Sequence, residues 1–237
     1  MVVVGAAVTG LEACRRDPEG TRRVNVEGTL RCVEQARRDG AFVVWLSSNL
    51  VFDGEVPRVK DGTPVSPGCD YGRQKAEVEE ALAGDAGVAR VRLTKVIGPG
   101  WKLLEDWCRT WEAGGAVRAF EDLWVAPVTL EATVQGLLKI AGERRGGGWQ
   151  FSGPEDVSYA GLARTMAGKV GVGEDRVEGV GRGGVVRDEQ APRHTTLDTQ
   201  RAEEELGMQF SGVDEVLDVW LATRRIRAMD ITQGGVV

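Results

Sequence analysis

The chain has a single histidine, His194, among its 237 residues. That excludes any zinc site or proton relay built on two histidines, and no metal site is expected. The four cysteines, Cys14, Cys32, Cys69 and Cys108, form no Cys-x-x-Cys pair. Scattered this way they fit free thiols in a reducing, cytoplasmic compartment better than a disulfide framework. Basic residues are in the minority, 30 Lys and Arg against 36 Asp and Glu. A phosphate-backbone binder needs a basic face, so nucleic acid is not an expected partner. No apolar run reaches membrane-spanning length. The opening Met1-Val2-Val3-Val4-Gly5 lacks the basic region and the length of a signal peptide. There is no Gly-x-Ser-x-Gly elbow, so His194 and Asp198 do not announce a hydrolase triad, and His194 reads as a polar loop residue.

What is present is a regular alternation. Val2-Val3-Val4 is a continuous β-branched run, the pattern of a parallel strand buried on both faces. Asp17-Pro18 follows as a helix start, a capping carboxylate and then a proline suited to the first turn. Asp39-Gly40 is a helix stop. Phe42-Val43-Val44-Trp45-Leu46 reads as a second strand, residues 71–82 as a helix and residues 88–93 as a third strand. Strand, helix, strand, helix, strand is the signature of a parallel sheet with crossover helices. The character changes after Gly98-Pro99-Gly100. Helices are predicted over residues 103–113, 130–141, 159–170, 201–206 and 213–226, with short strands at 117–120 and 149–151. The glycine cluster at 179–184 reads as a loop, and Glu77, Glu79 and Glu80 as an exposed helix side. The seven tryptophans mostly occupy apolar positions and read as core; Trp124 is the one suited to stacking on a base or sugar.

Two stretches carry chemistry. Tyr71 and Lys75 stand four apart on a predicted helix and so share a face. A lysine ammonium there is expected to lower the phenol's pKa, and a phenol so tuned can hand a proton to a carbonyl oxygen. Upstream, a buried strand ends in Leu46-Ser47-Ser48-Asn49. The carboxyl end of a strand is where α/β sheets place their sites, and a hydroxyl there can hold the same carbonyl oxygen.

The order of these pieces resembles the dTDP-4-dehydrorhamnose reductase family of extended short-chain dehydrogenases. Ser47-Ser48-Asn49-Leu50-Val51-Phe52-Asp53-Gly54 is similar to that family's Ser-Thr-Asp-Tyr-Val-Phe-Asp-Gly, and Pro67 to Lys75 to its Pro-x-x-x-Tyr-Gly-x-x-Lys. Ala6-Ala7-Val8-Thr9, the segment around Asn25, Arg92-Leu93-Thr94-Lys95-Val96-Ile97-Gly98, Asp122 to Val128 and Leu197-Asp198-Thr199 extend the likeness over nearly the whole chain. Asn49, Leu50 and Lys95 depart from it.

The resemblance implies an α/β fold with a partial Rossmann-like parallel sheet and a smaller mixed α/β substrate lobe. Residues 1–98 would form the core and 99–237 mainly the lobe, with part of 126–151 returning to the sheet. It implies NADPH- or NADH-dependent reduction of a 4-keto nucleotide sugar, as in dTDP-rhamnose biosynthesis, by a possible-homodimer scaffold. Ser48, Tyr71 and Lys75 would be catalytic. Ala6, Ala7, Thr9, Asn25, Ser47 and Thr94, with Tyr71 and Lys75, would face the cofactor. Ser48, Asn49, Val51, Phe52, Trp124 and Pro127 would face the substrate. The family's first strand and its Gly-x-x-Gly-x-x-Gly turn have no counterpart here, a difference of about sixty residues at roughly thirty per βαβ unit. Two alternatives go with that difference: a non-catalytic regulatory protein on the same scaffold, like the methionine adenosyltransferase regulatory subunit, and a nucleotide-sugar epimerase.

Overall fold

The computed structural model describes residues 1–183 and 192–233, with side chains to residue 224. In chain order the elements are β1 (Val2–Val4), α1 (Leu11–Arg16), α2 (Pro18–Arg22), α3 (Thr29–Arg38), β2 (Val43–Ser48), α4 (Asp70–Ala81), β3 (Val88–Leu93) and β4 (Lys95–Ile97). Then follow α5 (Lys102–Glu112), β5 (Val117–Phe120), β6 (Trp124–Val125), β7 (Pro127–Thr129), α6 (Leu130–Gly142) and β8 (Gly147–Phe151). The last are β9 (Val157–Ser158), α7 (Tyr159–Lys169), β10 (Val177–Val180), α8 (Gln200–Leu206) and α9 (Val213–Gln233).

Four parallel strands in the order β1-β2-β3-β8 make the main sheet. The side-chain period of two sorts β2 between two cores. Val43 and Trp45 pack with Val33, Val78 and Leu82, on the side of α3 and α4. Phe42 and Val44 pack with Ile140, Trp149, Phe151 and Leu206, on the side of α6 and α8. A strand covered on both faces must be apolar at every position, which is why it reads as a run and not as an alternation. Ile140 and Phe151 are wholly buried, each contributing about 1.5–3 kcal/mol from burial. A third core, built on Leu104, Trp107, Leu162, Met166, Leu217 and Trp220, joins α5, α7 and α9 over the β5–β10 pair.

Caps fix the helix starts. The Asp17 carboxylate accepts from Gly20 N at 2.8 Å, Thr129 from Ala132 N at 3.0 Å and Ser158 from Gly161 N at 3.0 Å, each satisfying a donor the helix leaves unpaired. At β1 the sheet has an open edge among the described residues: Met1 is 65 % exposed and Val3 46 %. A second apolar stripe, Leu130, Val134 and Leu138, lies exposed along α6 at a spacing of four.

Two expectations need correction. The glycine stretch does not begin as a loop: Gly179 and Val180 belong to β10, which pairs in parallel with β5. Gly184 lies outside the described residues. The helix expected from Asp17 is interrupted: between α2 and α3, Arg23–Gly28 form a π-helical turn. That turn directs Asn25 inward, where it is 1 % exposed. π-Turns of this kind commonly aim a side chain at the cost of helix regularity.

Candidate active site

The carboxyl end of β2 runs straight into a short 3-10 turn, Asn49–Val51, held because Leu50 N donates to Ser48 Oγ at 3.2 Å. The first turn of α4 packs on it. A Cβ on Gly72 would meet the Leu50 carbonyl oxygen at 2.0 Å. Only a residue without a side chain lets the backbones approach this closely, which gives the Tyr71-Gly72 pair a physical cause. Cys69 Sγ caps α4 by accepting from Gly72 N at 3.4 Å. Ser48 and Tyr71 are thereby brought to one cavity of about 440 Å³.

Thr9, Ser48, Asn49, Tyr71, Thr94 and Trp124 all line that cavity. Sequence reasoning missed Leu11, Tyr159, Pro192 and Thr195, which line it as well, and noted Lys95, another lining residue, only as a departure from the family pattern. Composition held one usable signal: the chain has two tyrosines, and both are here. The other site residues predicted from sequence lie elsewhere. Ser47 points to the opposite face of β2 and donates to Glu79 Oε1 at 2.6 Å. Val51 and Phe52 are buried with Leu197, and Pro127 is buried in β7. Ala6 and Ala7 sit in the β1–α1 loop and are not among the lining residues.

Asn25 acts at one remove. It mimics a backbone partner for the β1–α1 loop, accepting from Val8 N at 2.7 Å and donating to Val8 O at 2.9 Å. It also donates to Gln74 Oε1 at 2.7 Å, and Gln74 in turn donates to Thr21 Oγ1 at 2.9 Å. Because Thr9 follows Val8 and Gln74 lies one turn along from Tyr71, this network sets the Thr9 loop against α4. Thr94 likewise ties two elements together, its hydroxyl donating to Ala126 O at 2.6 Å.

The tuning of Tyr71 differs from the expectation. Burial, followed by the neighbouring Cys14 and Cys69 thiols, pushes its phenol up to about 12. Lys75 does not offset this. Its ammonium lies 5.7 Å from the Tyr71 ring centroid and 4.8 Å from that of Trp45, and it donates to Leu46 O at 2.8 Å. Lys75 is 3 % exposed, and burial pulls it down to about 8 against a partial restoring pull from Glu79. The folded state therefore sheds this proton near pH 8, whereas the unfolded chain keeps it to about 10.5. Between those values the unfolded state binds more protons, so stability rises with pH. The gain is at most about 3 kcal/mol at 1.36 kcal/mol per pKa unit. Urea titrations across this window should show the rise in the wild type and its loss in Lys75→Met; parallel profiles would contradict the assignment.

Glu79 also departs from its reading as an exposed residue. It is 4 % exposed and pairs with Arg92 of β3 through contacts of 2.6–3.1 Å. Arg92 Nη1 reaches Asp61 O at 2.9 Å and Gln150 Oε1 at 3.2 Å. This network lies beneath the sheet's carboxyl end, so it holds α4 to β2 and β3 behind the cavity.

A second cavity of about 370 Å³ lies across Trp124, which lines both and is 38 % exposed. His194 and Arg58 line this second cavity. His194 Nδ1 lies 3.2 Å from Asp156 Oδ2, and Asp156 is further bound by Thr195 and Thr196. The histidine therefore pairs with Asp156 and not Asp198. Among the described residues no group of three or more His, Cys, Asp or Glu side chains is placed to hold a metal, and no helix is long and apolar enough to cross a membrane.

A parallel sheet with crossover helices and with hydroxyls gathered at its carboxyl end gives this protein a Rossmann-like α/β fold. Solved dTDP-4-dehydrorhamnose reductases share the fold. That of Clostridium acetobutylicum superposes with a TM-score of 0.83 at 21 % identity, over 93 % of this chain and 80 % of that one. That of Bacillus anthracis, solved in complex with NADP, gives 0.82 at 16 % identity, over 93 % and 80 %. The chain belongs to the RmlD substrate binding domain family, whose match runs over residues 1–224. By sequence it is 29 % identical over 107 residues to the bovine (Bos taurus) methionine adenosyltransferase 2 subunit beta, a stretch covering 45 % of this chain and 32 % of that protein. The match thus spans about a third of the curated relative's length.

Proposed function

We propose that this protein reduces the ketone of a 4-keto nucleotide sugar with NADPH or NADH, in the manner of dTDP-4-dehydrorhamnose reductases. The observation that carries the reading is the meeting of Ser48 and Tyr71, from β2 and α4, in one cavity with Thr9, Thr94 and Trp124. Family membership and the NADP complex of the Bacillus anthracis reductase support it.

The residues fit the nicotinamide end of such a cofactor. Hydroxyls of Thr9, Ser48, Tyr71 and Thr94 line the cavity, and no carboxylate stands among its described lining residues. At the pyrophosphate end the sequence offers no Gly-x-x-Gly-x-x-Gly turn. When bound, the dinucleotide supplies a hydride to the ketone carbon. Ser48 donates a hydrogen bond to the ketone oxygen. Tyr71, kept protonated by its pKa of about 12, gives that oxygen its proton; the alkoxide being formed is the stronger base, so the transfer runs downhill. The phenolate left behind regains its proton from solvent; Lys75, with its ammonium 5.7 Å from the ring centroid and donating to Leu46 O, holds the end of β2 beneath it. Trp124 offers a face for the sugar or base.

A regulatory reading has its own support. Lys75 already spends a donor on Leu46 O, and the bovine relative is named as a subunit beta of an adenosyltransferase. Titration with NADPH and NADH, followed by tryptophan fluorescence, separates the two. Saturable binding of either supports the reductase; flat titrations with both favour the regulatory reading.

A further inference from the structure

Among the described residues lining the cavity, Lys95 carries the formal positive charge and the others are hydroxyls, amides and apolar groups. It opens β4 directly after Thr94 and shares the cavity with Ser48, Tyr71 and Tyr159. Among the described residues its ammonium makes no hydrogen bond and no ion pair; its recorded neighbour is the Trp101 ring, with the centroid 5.0 Å away. The residue as a whole is exposed. Even so, enough protein crowds the ammonium for desolvation to lower its pKa, with no carboxylate acting to raise it. A cation that no described carboxylate or carbonyl engages is available to an anionic ligand. In a chain of net charge −6, the lack of carboxylates among the described lining residues also lessens the repulsion an anionic ligand would meet.

We propose that Lys95 binds a carboxylate carried on the sugar of the substrate, making this a site for an acidic nucleotide sugar. The inference rests on the reading of the cavity as a nucleotide-sugar site. The sugar is favoured over the diphosphate because Lys95 lines the same cavity as Ser48 and Tyr71, the residues that would meet the ketone. Two other cations, Arg58 and Arg193, line the neighbouring cavity across Trp124, beside the carboxylates of Glu155 and Asp156, and either arginine could meet a diphosphate that reaches past Trp124.

Two probes differ at one carbon of the sugar: UDP-glucuronic acid carries a carboxylate where UDP-glucose carries a hydroxymethyl group. Calorimetric titration of the wild type should show the acid bound about tenfold or more tighter, the range of one charge-assisted hydrogen bond. Lys95→Met should erase that ratio and leave UDP-glucose unchanged, whereas Lys95→Arg should keep it; thermal melts of both variants check folding. A ratio near one in the wild type, or a ratio that survives Lys95→Met, overturns the proposal and leaves the reductase reading standing. Equal weakening of both ligands by Lys95→Met overturns it too, assigning the lysine to the diphosphate. Failure of the wild type to bind either ligand overturns the nucleotide-sugar reading together with this one.

Discussion

Replacing Tyr71 with phenylalanine should lower ketone reduction by about 100- to 10,000-fold, the usual range for a positioned general acid, while the fold and nucleotide-sugar affinity stay as they are. The selectivity of the effect follows from the site. The Tyr71 hydroxyl makes no hydrogen bond to any described residue, yet among those residues the buried side-chain polar atom left without a partner is Trp220 Nε1. The phenol oxygen is thus in contact with the cavity, not sealed in the core, and deleting it strands no protein donor or acceptor. Its ring, by contrast, packs with Cys14 and Cys69, and phenylalanine keeps that packing. Steady-state turnover, ligand titration and thermal melting of the variant together check this. Turnover within a few-fold of the wild type would remove Tyr71 from the chemistry.

The second large effect is on stability. Glu79→Gln should destabilise the protein by about 3–5 kcal/mol, because it leaves the Arg92 guanidinium buried against a neutral amide. Such a loss is a large part of the roughly 5–15 kcal/mol that holds a domain together. Arg92→Met should cost a similar amount. The double variant Glu79→Met with Arg92→Met should cost much less than the sum, since the desolvation penalty goes with the pair. Urea unfolding of the three variants measures the cycle. Additive losses would mean that the two side chains act independently, against the 2.6 Å contact between Arg92 Nη2 and Glu79 Oε2.

How far the sequence reveals the molecule depends on the range of the interactions. The strands β1, β2 and β3 and the helices α4 to α8 are legible because burial on both faces and caps are local properties. The meeting of Ser48 with Tyr71 is legible for a related reason: a strand's carboxyl end and the first turn of the following helix lie on the same rim of a parallel sheet. Glu79 is not legible. Its helix position looks like its neighbours Glu77 and Glu80, and its burial is decided by Arg92, thirteen residues away on the next strand. Asn25 shows the same limit. Its residue type hints at function, whereas its partners, Val8 and Gln74, come from two other segments. Spacing placed Lys75 beside Tyr71 correctly but says nothing of solvent. Burial outweighs the pairing, so the phenol rises to about 12 and does not fall. Gly179 fails for a third reason: glycine-rich sequence suggests a loop, and only the pairing with β5 makes it a strand.

The central step proposed is a hydride accepted by a ketone whose oxygen lies between Ser48 and Tyr71. The most direct test is label transfer, using NADPH deuterated at its transferable position and a 4-keto nucleotide sugar, with the product read by mass spectrometry and NMR. The wild type should place one deuterium on the former ketone carbon, and Tyr71→Phe should leave that carbon essentially unlabelled. A wild-type protein that binds both ligands and returns the ketone intact would contradict the account.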